Sequence, residues 1–219
     1  MAEYTIDKRY TTSVQRTQRV LDIAESFGVG LNDKEFVVFD NAKIEVHQGD
    51  VVYITGESGG GKSTLLRELA KQMQEQGLQV ADIDKIELAD KPICELLGVD
   101  LAEALRLLGI AGINDANLYI QSPKVLSDGQ RYRLKLAMLI GSGAKVWVAD
   151  EFLAVLDRVT ALNVAFNMQR IARQFGATLL VATTHDDMVK DLAPDLTIVK
   201  RYREKIEITK APEGFRDAQ

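Results

Sequence analysis

Gly56, Gly61, Lys62 and Ser63 stand in the run GESGGGKST, which meets the spacing G-x-x-x-x-G-K-[ST]. Such a run can hold phosphate. Glycines let successive backbone N–H groups turn inward around phosphate oxygens, and a helix that starts at the loop adds the positive end of its dipole. Gly56, Glu57, Ser58, Gly59, Gly60, Gly61, Lys62, Ser63 and Thr64 are therefore expected to cradle a nucleotide, Lys62 reaching the β- and γ-phosphates and Ser63 holding Mg²⁺. A glycine-rich turn without a ligand is the competing reading. Context weighs against it, because the apolar run VVYIT precedes the loop and the amphipathic KSTLLRELAKQMQEQ follows.

Two acids, Asp150 and Glu151, end the apolar run KVWVAD. Parallel sheets place ligands beyond the C-terminal ends of their strands, so both acids are candidates for chemistry. Asp150 is expected in the Mg²⁺ shell and Glu151 as the general base that polarises the attacking water. Without the phosphate loop the pair would read equally well as solvated loop residues or a helix cap. Ser127 and Gly129 open the helical stretch SDGQRYRLKLAMLI, where a serine could serve only as an N-cap. His185 follows the apolar run LLVATT, where a lone histidine is often a surface or capping residue.

The elements that must carry these residues alternate. EFVVFD, AKIEV and VVYIT read as short strands ahead of the loop, and KSTLLRELAKQMQEQ as a helix with Leu65, Leu66, Leu69 and Met73 on one face. LQVADI reads as a strand, and the leucine- and alanine-rich residues 96–118 as a small helical insert. Then follow a helix from Asp128, the strand KVWVAD, a helix over 158–175, the strand ATLLVATT and a hairpin about Arg203. This alternation predicts an α/β fold with a mostly parallel sheet covered on both faces. Residues 1–30 read as an arm or lead-in, 31–209 as the catalytic domain with its insert over about 90–126, and 210–219 as a polar tail.

Taken in order, FDNAKIEVHQGDVVYITGESGGGKSTLLR, LSDGQRYR, VADEFLAVLD and TTHDD resemble the ATP-binding-cassette (ABC) ATPases. The resemblance runs from about Phe39 to Asp187. It implies a P-loop NTPase fold of ABC type, with an N-terminal antiparallel strand layer and a shortened helical subdomain, and it implies ATP and Mg²⁺ as ligands. LSDGQ is similar to the family signature LSGGQ, with Asp128 at the third letter, so Ser127, Gly129 and Gln130 would bind the γ-phosphate held by an opposite protomer. An ATP-dependent, head-to-tail homodimer follows. His185 resembles the switch histidine that orients the water, and Asp157 the aspartate that crosses the dimer interface. Phe27 lies at about the distance of the aromatic that stacks on adenine, with Phe36 and Tyr10 as rivals.

The chain also departs from the family pattern. Phe152 to Ala154 differ from the usual letters, and no glutamine stands where the family's Q-loop should follow LQVADI; Glu87 and Asp90 occupy that stretch, and Gln121 lies nearer the signature. The finer wording, LSDGQRYRLKLAM and ATTHDDMVKDLAPDL, resembles stand-alone ABC-type ATPases elsewhere fused to a predicted acetyltransferase domain. This chain has no room for such a domain beside the cassette.

Composition narrows the function. With 219 residues and an apolar share of 46%, the chain can bury its own core. A net charge of −5 sets the overall field against nucleic acid, so the clusters over 8–19 and 200–205 read as solvated surface. One cysteine, Cys94, permits no internal disulfide, and no apolar run approaches a membrane span. The expectation is a cytoplasmic Mg-ATPase without direct membrane insertion, driving or regulating a partner protein such as an acetyltransferase or a membrane subunit. The alternatives are the ATP-binding subunit of a membrane transporter and a DNA-associated ATPase.

Overall fold

The computed structural model describes residues 2–212. Strands β3 (Val51–Thr55), β4 (Val80–Asp82), β5 (Val146–Ala149), β6 (Thr178–Ala182), β7 (Leu196–Val199) and β8 (Glu207–Lys210) form one sheet in the order β4-β5-β6-β3-β7-β8. Neighbours run parallel except β7 and β8, which close an antiparallel hairpin. Arg203 takes φ +60° within that turn. The central strands are buried on both faces and accordingly read as unbroken apolar runs.

Strand alternation divides the core into two layers. Val52, Ile54, Val148 and Leu180 face Leu65, Leu66, Leu69 and Met73 of helix α2 (Lys62–Glu75), the face expected from the leucine spacing. On the opposite face, Tyr53, Trp147, Leu179 and Val181 pack against α3 (Leu101–Ile110), α5 (Asp128–Gly141) and α6 (Arg158–Phe175). Each fully buried leucine stabilises the domain by about 1.5–3 kcal/mol relative to exposure. Helices α3 and α4 (Ala116–Tyr119) begin at Asp100 and Asp115, whose carboxylates accept backbone N–H groups as N-caps. Helix α7 (Val189–Leu192) lies before β7.

Residues 1–30, read from the sequence as an arm or lead-in, include a paired strand. β1 (Ala2–Thr12) pairs antiparallel with β2 (Lys34–Val46), and Tyr4 and Ile6 enter the core beside α2. Only α1 (Gln18–Phe27) and its flanks join the two strands, and no residue of α1 is buried. The two short strands expected at EFVVFD and AKIEV are one, bent where Asn41 takes φ +48° and the register shifts opposite Ile6 and Lys8. Lys210 belongs to β8 and Ala211 N donates to Asp195 O at 2.9 Å, whereas residues 213–219 lie outside the described residues.

Candidate functional site

β3 ends at Thr55 and α2 begins at Lys62, so the phosphate loop fills the gap between a central strand and a helix N-terminus. Its course depends on glycine. Gly56 takes φ +130°, and a Cβ there would meet Lys200 O at 2.1 Å. Gly61, at φ +104°, caps α2 and leaves no room beside Val38. Lys62 is buried, and its Nζ donates to the carbonyls of Gly56 at 2.9 Å and Glu57 at 2.7 Å. Burial pulls its ammonium below the ordinary lysine range, opposed by the charges of Asp150 and Glu151. A buried ammonium at the N-terminus of a helix suits an anion.

Asp150 and Glu151 leave the end of β5 beside this loop. Ser63 Oγ donates to Asp150 Oδ1 at 3.0 Å, and Arg67 Nη2 lies 3.5 Å from Asp150 Oδ2. Glu151 is exposed and takes φ +45°, an unusual conformation for a residue with a side chain. Ser58, Gly59, Gly61, Lys62, Ser63, Thr64, Asp150 and Glu151 line one cleft of about 460 Å³. Ala154, Ala182, Thr183 and Thr184 complete it. A hydroxyl and a carboxylate at this separation are hard oxygen donors of the kind that hold Mg²⁺ when phosphates and water supply the remaining ligands.

The other expected residues lie around the cleft. His185 follows Thr184, and its carbonyl accepts from Tyr53 Oη and, at 3.2 Å, from Thr55 Oγ1. Its imidazole is not among the cleft-lining side chains. Ser127 is exposed and caps α5 reciprocally: its Oγ accepts from Gln130 N at 3.3 Å while its N donates to Gln130 Oε1 at 2.9 Å. Ser127, Gly129 and Gln130 do not line the cleft, nor does Asp157, which caps α6 through Thr160 N at 3.0 Å. Phe27 ends α1 with 78% of its surface exposed and is also outside the lining.

Several residues near the cleft escaped the sequence reading. Tyr132 of α5 accepts from Leu153 N at 3.1 Å, tying α5 to the turn after Glu151; burial pushes its phenol pKa up. Phe152 and Leu153 are fully buried and fill core space, whereas Ala154 is exposed and lines the cleft. Asp84, after β4, has a carboxyl held above the usual range by burial and by Asp82, Asp150 and Glu151. Tyr202 stacks on Phe36 at 6.0 Å, and its N donates to Glu57 Oε2 at 3.3 Å. Tyr10 stands opposite Phe36 in the β1/β2 ladder. The stretch after β4 is tied to the segment before α5, for Ser122 Oγ donates to Asp90 Oδ1 at 2.6 Å and Ile93 N to Gln121 O at 3.0 Å.

The sequence model of a family described as ABC transporter matches residues 39–98. A methionine import ATP-binding protein of Oceanobacillus iheyensis is 28% identical, over 81% of this chain and 62% of its own length. One from Campylobacter jejuni is also 28% identical, over 73% and 62%. The chain therefore spans less than two thirds of these relatives. In fold it is similar to the ATP-binding cassette MJ0796: a dimeric structure bound to ADP and Pi superposes with a TM-score of 0.68 at 14% identity, covering 95% of this chain and 98% of that one. A second dimeric structure of that bacterial cassette gives 0.64 at 17% identity, covering 81% and 92%.

Proposed function

We propose that this chain is an ATPase of the ABC type, two copies of which close head to tail on ATP and reopen after hydrolysis to drive a partner protein. One observation carries the proposal: Lys62, Ser63, Asp150 and Glu151 share a cleft that Ser127 and Gly129 do not reach. Each chain thus offers a phosphate grip in one place and an exposed signature in another. Nucleotide between them acts as the joining element, and its cleavage removes the bond.

The residues divide the work. Backbone N–H groups of the loop and the Lys62 ammonium hold the phosphates, and Ser63 with Asp150 would hold Mg²⁺, which supplies further neutralisation of phosphate charge when bound. Glu151 accepts a proton from the water whose oxygen attacks the γ-phosphorus, while the bond to the β-phosphate oxygen breaks and ADP leaves. His185 orients that water from the next strand end, its loop held by Tyr53 and Thr55. Tyr202 and Phe36 form the adenine platform in place of Phe27, because their stack is anchored to the loop through Glu57. The test is turnover with ATP and Mg²⁺. Glu151→Gln should retain ATP binding and lose about 10²–10⁴-fold in rate; wild-type rates in this variant would assign the base elsewhere.

The names of the relatives favour a membrane import subunit as the partner over an acetyltransferase. No helix among the described residues is long and apolar enough to cross a membrane. Co-purification from the native host decides it: a membrane protein with several spans supports the import reading, and a soluble partner alone excludes it.

A further inference from the structure

On the sheet face opposite α2, a groove runs between the C-terminal end of α3, α5 and α6. It consists of two cavities of about 530 and 170 Å³ that share Ile110 and Asn167 as lining. Neither has a carboxylate among its lining residues, although the chain as a whole is acidic. Arg133 lines one cavity and Arg170 the other, and neither makes an ion pair among the described residues.

Two buried donors in this groove lack acceptors. Gln169 is 1% exposed and lines the larger cavity, and its Nε2 has no hydrogen-bond partner. Arg133 Nε, in the smaller cavity, is likewise unmet. Buried donors are rarely left so, and an unmet one points to an acceptor that the free chain does not supply. Asn163, Asn167 and Gln174 add exposed amides along α6. From Asn163 to Gln174 the helix rises about 16 Å, the length of about five residues of extended chain. An amide side chain offers both a donor and an acceptor, as a peptide unit does.

We infer that this groove binds an extended acidic peptide segment of a partner protein. Peptide carbonyls meet Gln169 Nε2 and the α6 amides, and side-chain carboxylates meet Arg133 and Arg170. A peptide fits better than a small carboxylate, which would leave most of the groove unfilled. The groove shares no lining residue with the nucleotide cleft, so the inference stands or falls separately from the ATPase reading.

The test uses the full chain and a fluorescein-labelled octapeptide of alternating glutamate and valine, read by fluorescence anisotropy. Saturable binding is expected below about 1 mM, weakening with salt, with no binding of the matching lysine–valine peptide. Arg170→Glu should weaken it about tenfold or more, a loss typical of one charge-assisted contact. Asn167→Leu, which removes an exposed amide lining both cavities, should weaken binding while leaving the melting temperature unchanged. Should Arg170→Glu fail to fold, Arg170→Gln serves with the same expectation. The inference is overturned by absence of saturable binding, by equal binding of the lysine peptide, by wild-type affinity in the Arg170 variant, or by glutarate displacing the peptide at matching concentration. ATP hydrolysis should be unaffected by either variant.

Discussion

Ser63 Oγ donates to Asp150 Oδ1 at 3.0 Å, joining residues 87 positions apart. The contact follows from strand order. β3 and β5 flank β6, so the loop after β3 and the turn after β5 open at the same edge of the sheet. There the helix N-terminus favours negative charge and Asp150 favours a cation, and a Mg–nucleotide complex meets both demands.

Lys62→Ala should weaken ATP binding. The variant loses a charge-assisted contact of about 1.5–3 kcal/mol, which corresponds to roughly ten- to hundredfold in Kd. Titration calorimetry with ATP and Mg²⁺ checks this, and unchanged affinity would remove Lys62 from the site.

The adenine platform separates two aromatic assignments. Tyr202→Ala and Phe36→Ala should each weaken ATP binding by about 0.5–1.5 kcal/mol, the worth of a stacked aromatic contact, with little effect on triphosphate alone. Phe27→Ala should leave nucleotide affinity unchanged. The reverse pattern would restore Phe27, 78% exposed at the end of α1, as the stacking residue.

The phosphate loop, the acid pair and the order of strands and helices were legible because each is a local signal: glycine spacing, an apolar run ending in acids, a leucine stripe. β1 was not. Tyr4 and Ile6 alternate with the polar residues Glu3, Thr5 and Asp7 in a segment rich in basic and hydroxyl side chains, and the pairing strand begins only at Lys34. Tyr202 was hidden for the same reason, since its neighbours Phe36 and Glu57 come from distant parts of the chain and only the β7/β8 hairpin brings it to them. Asp84, too, looked like one acid among many until the fold set it near Asp150 and Glu151.

Tyr132→Phe tests the strut between α5 and the turn after Glu151. Leu153 N would lose its acceptor, and an unmet backbone donor costs about 1–3 kcal/mol. For a domain of this size each kcal/mol lowers Tm by about 2–4 °C. Calorimetric melting should show that loss together with slower ATP turnover; an unchanged Tm would show that the bond contributes nothing.

The closed dimer is the central claim, and light scattering of Glu151→Gln with saturating ATP and Mg²⁺ tests it most directly. Trapped nucleotide should convert the variant from monomer to dimer, and adding Ser127→Arg to the same chain should return it to monomer without loss of ATP binding. A Glu151→Gln chain that binds ATP yet remains monomeric would contradict a site shared between two chains.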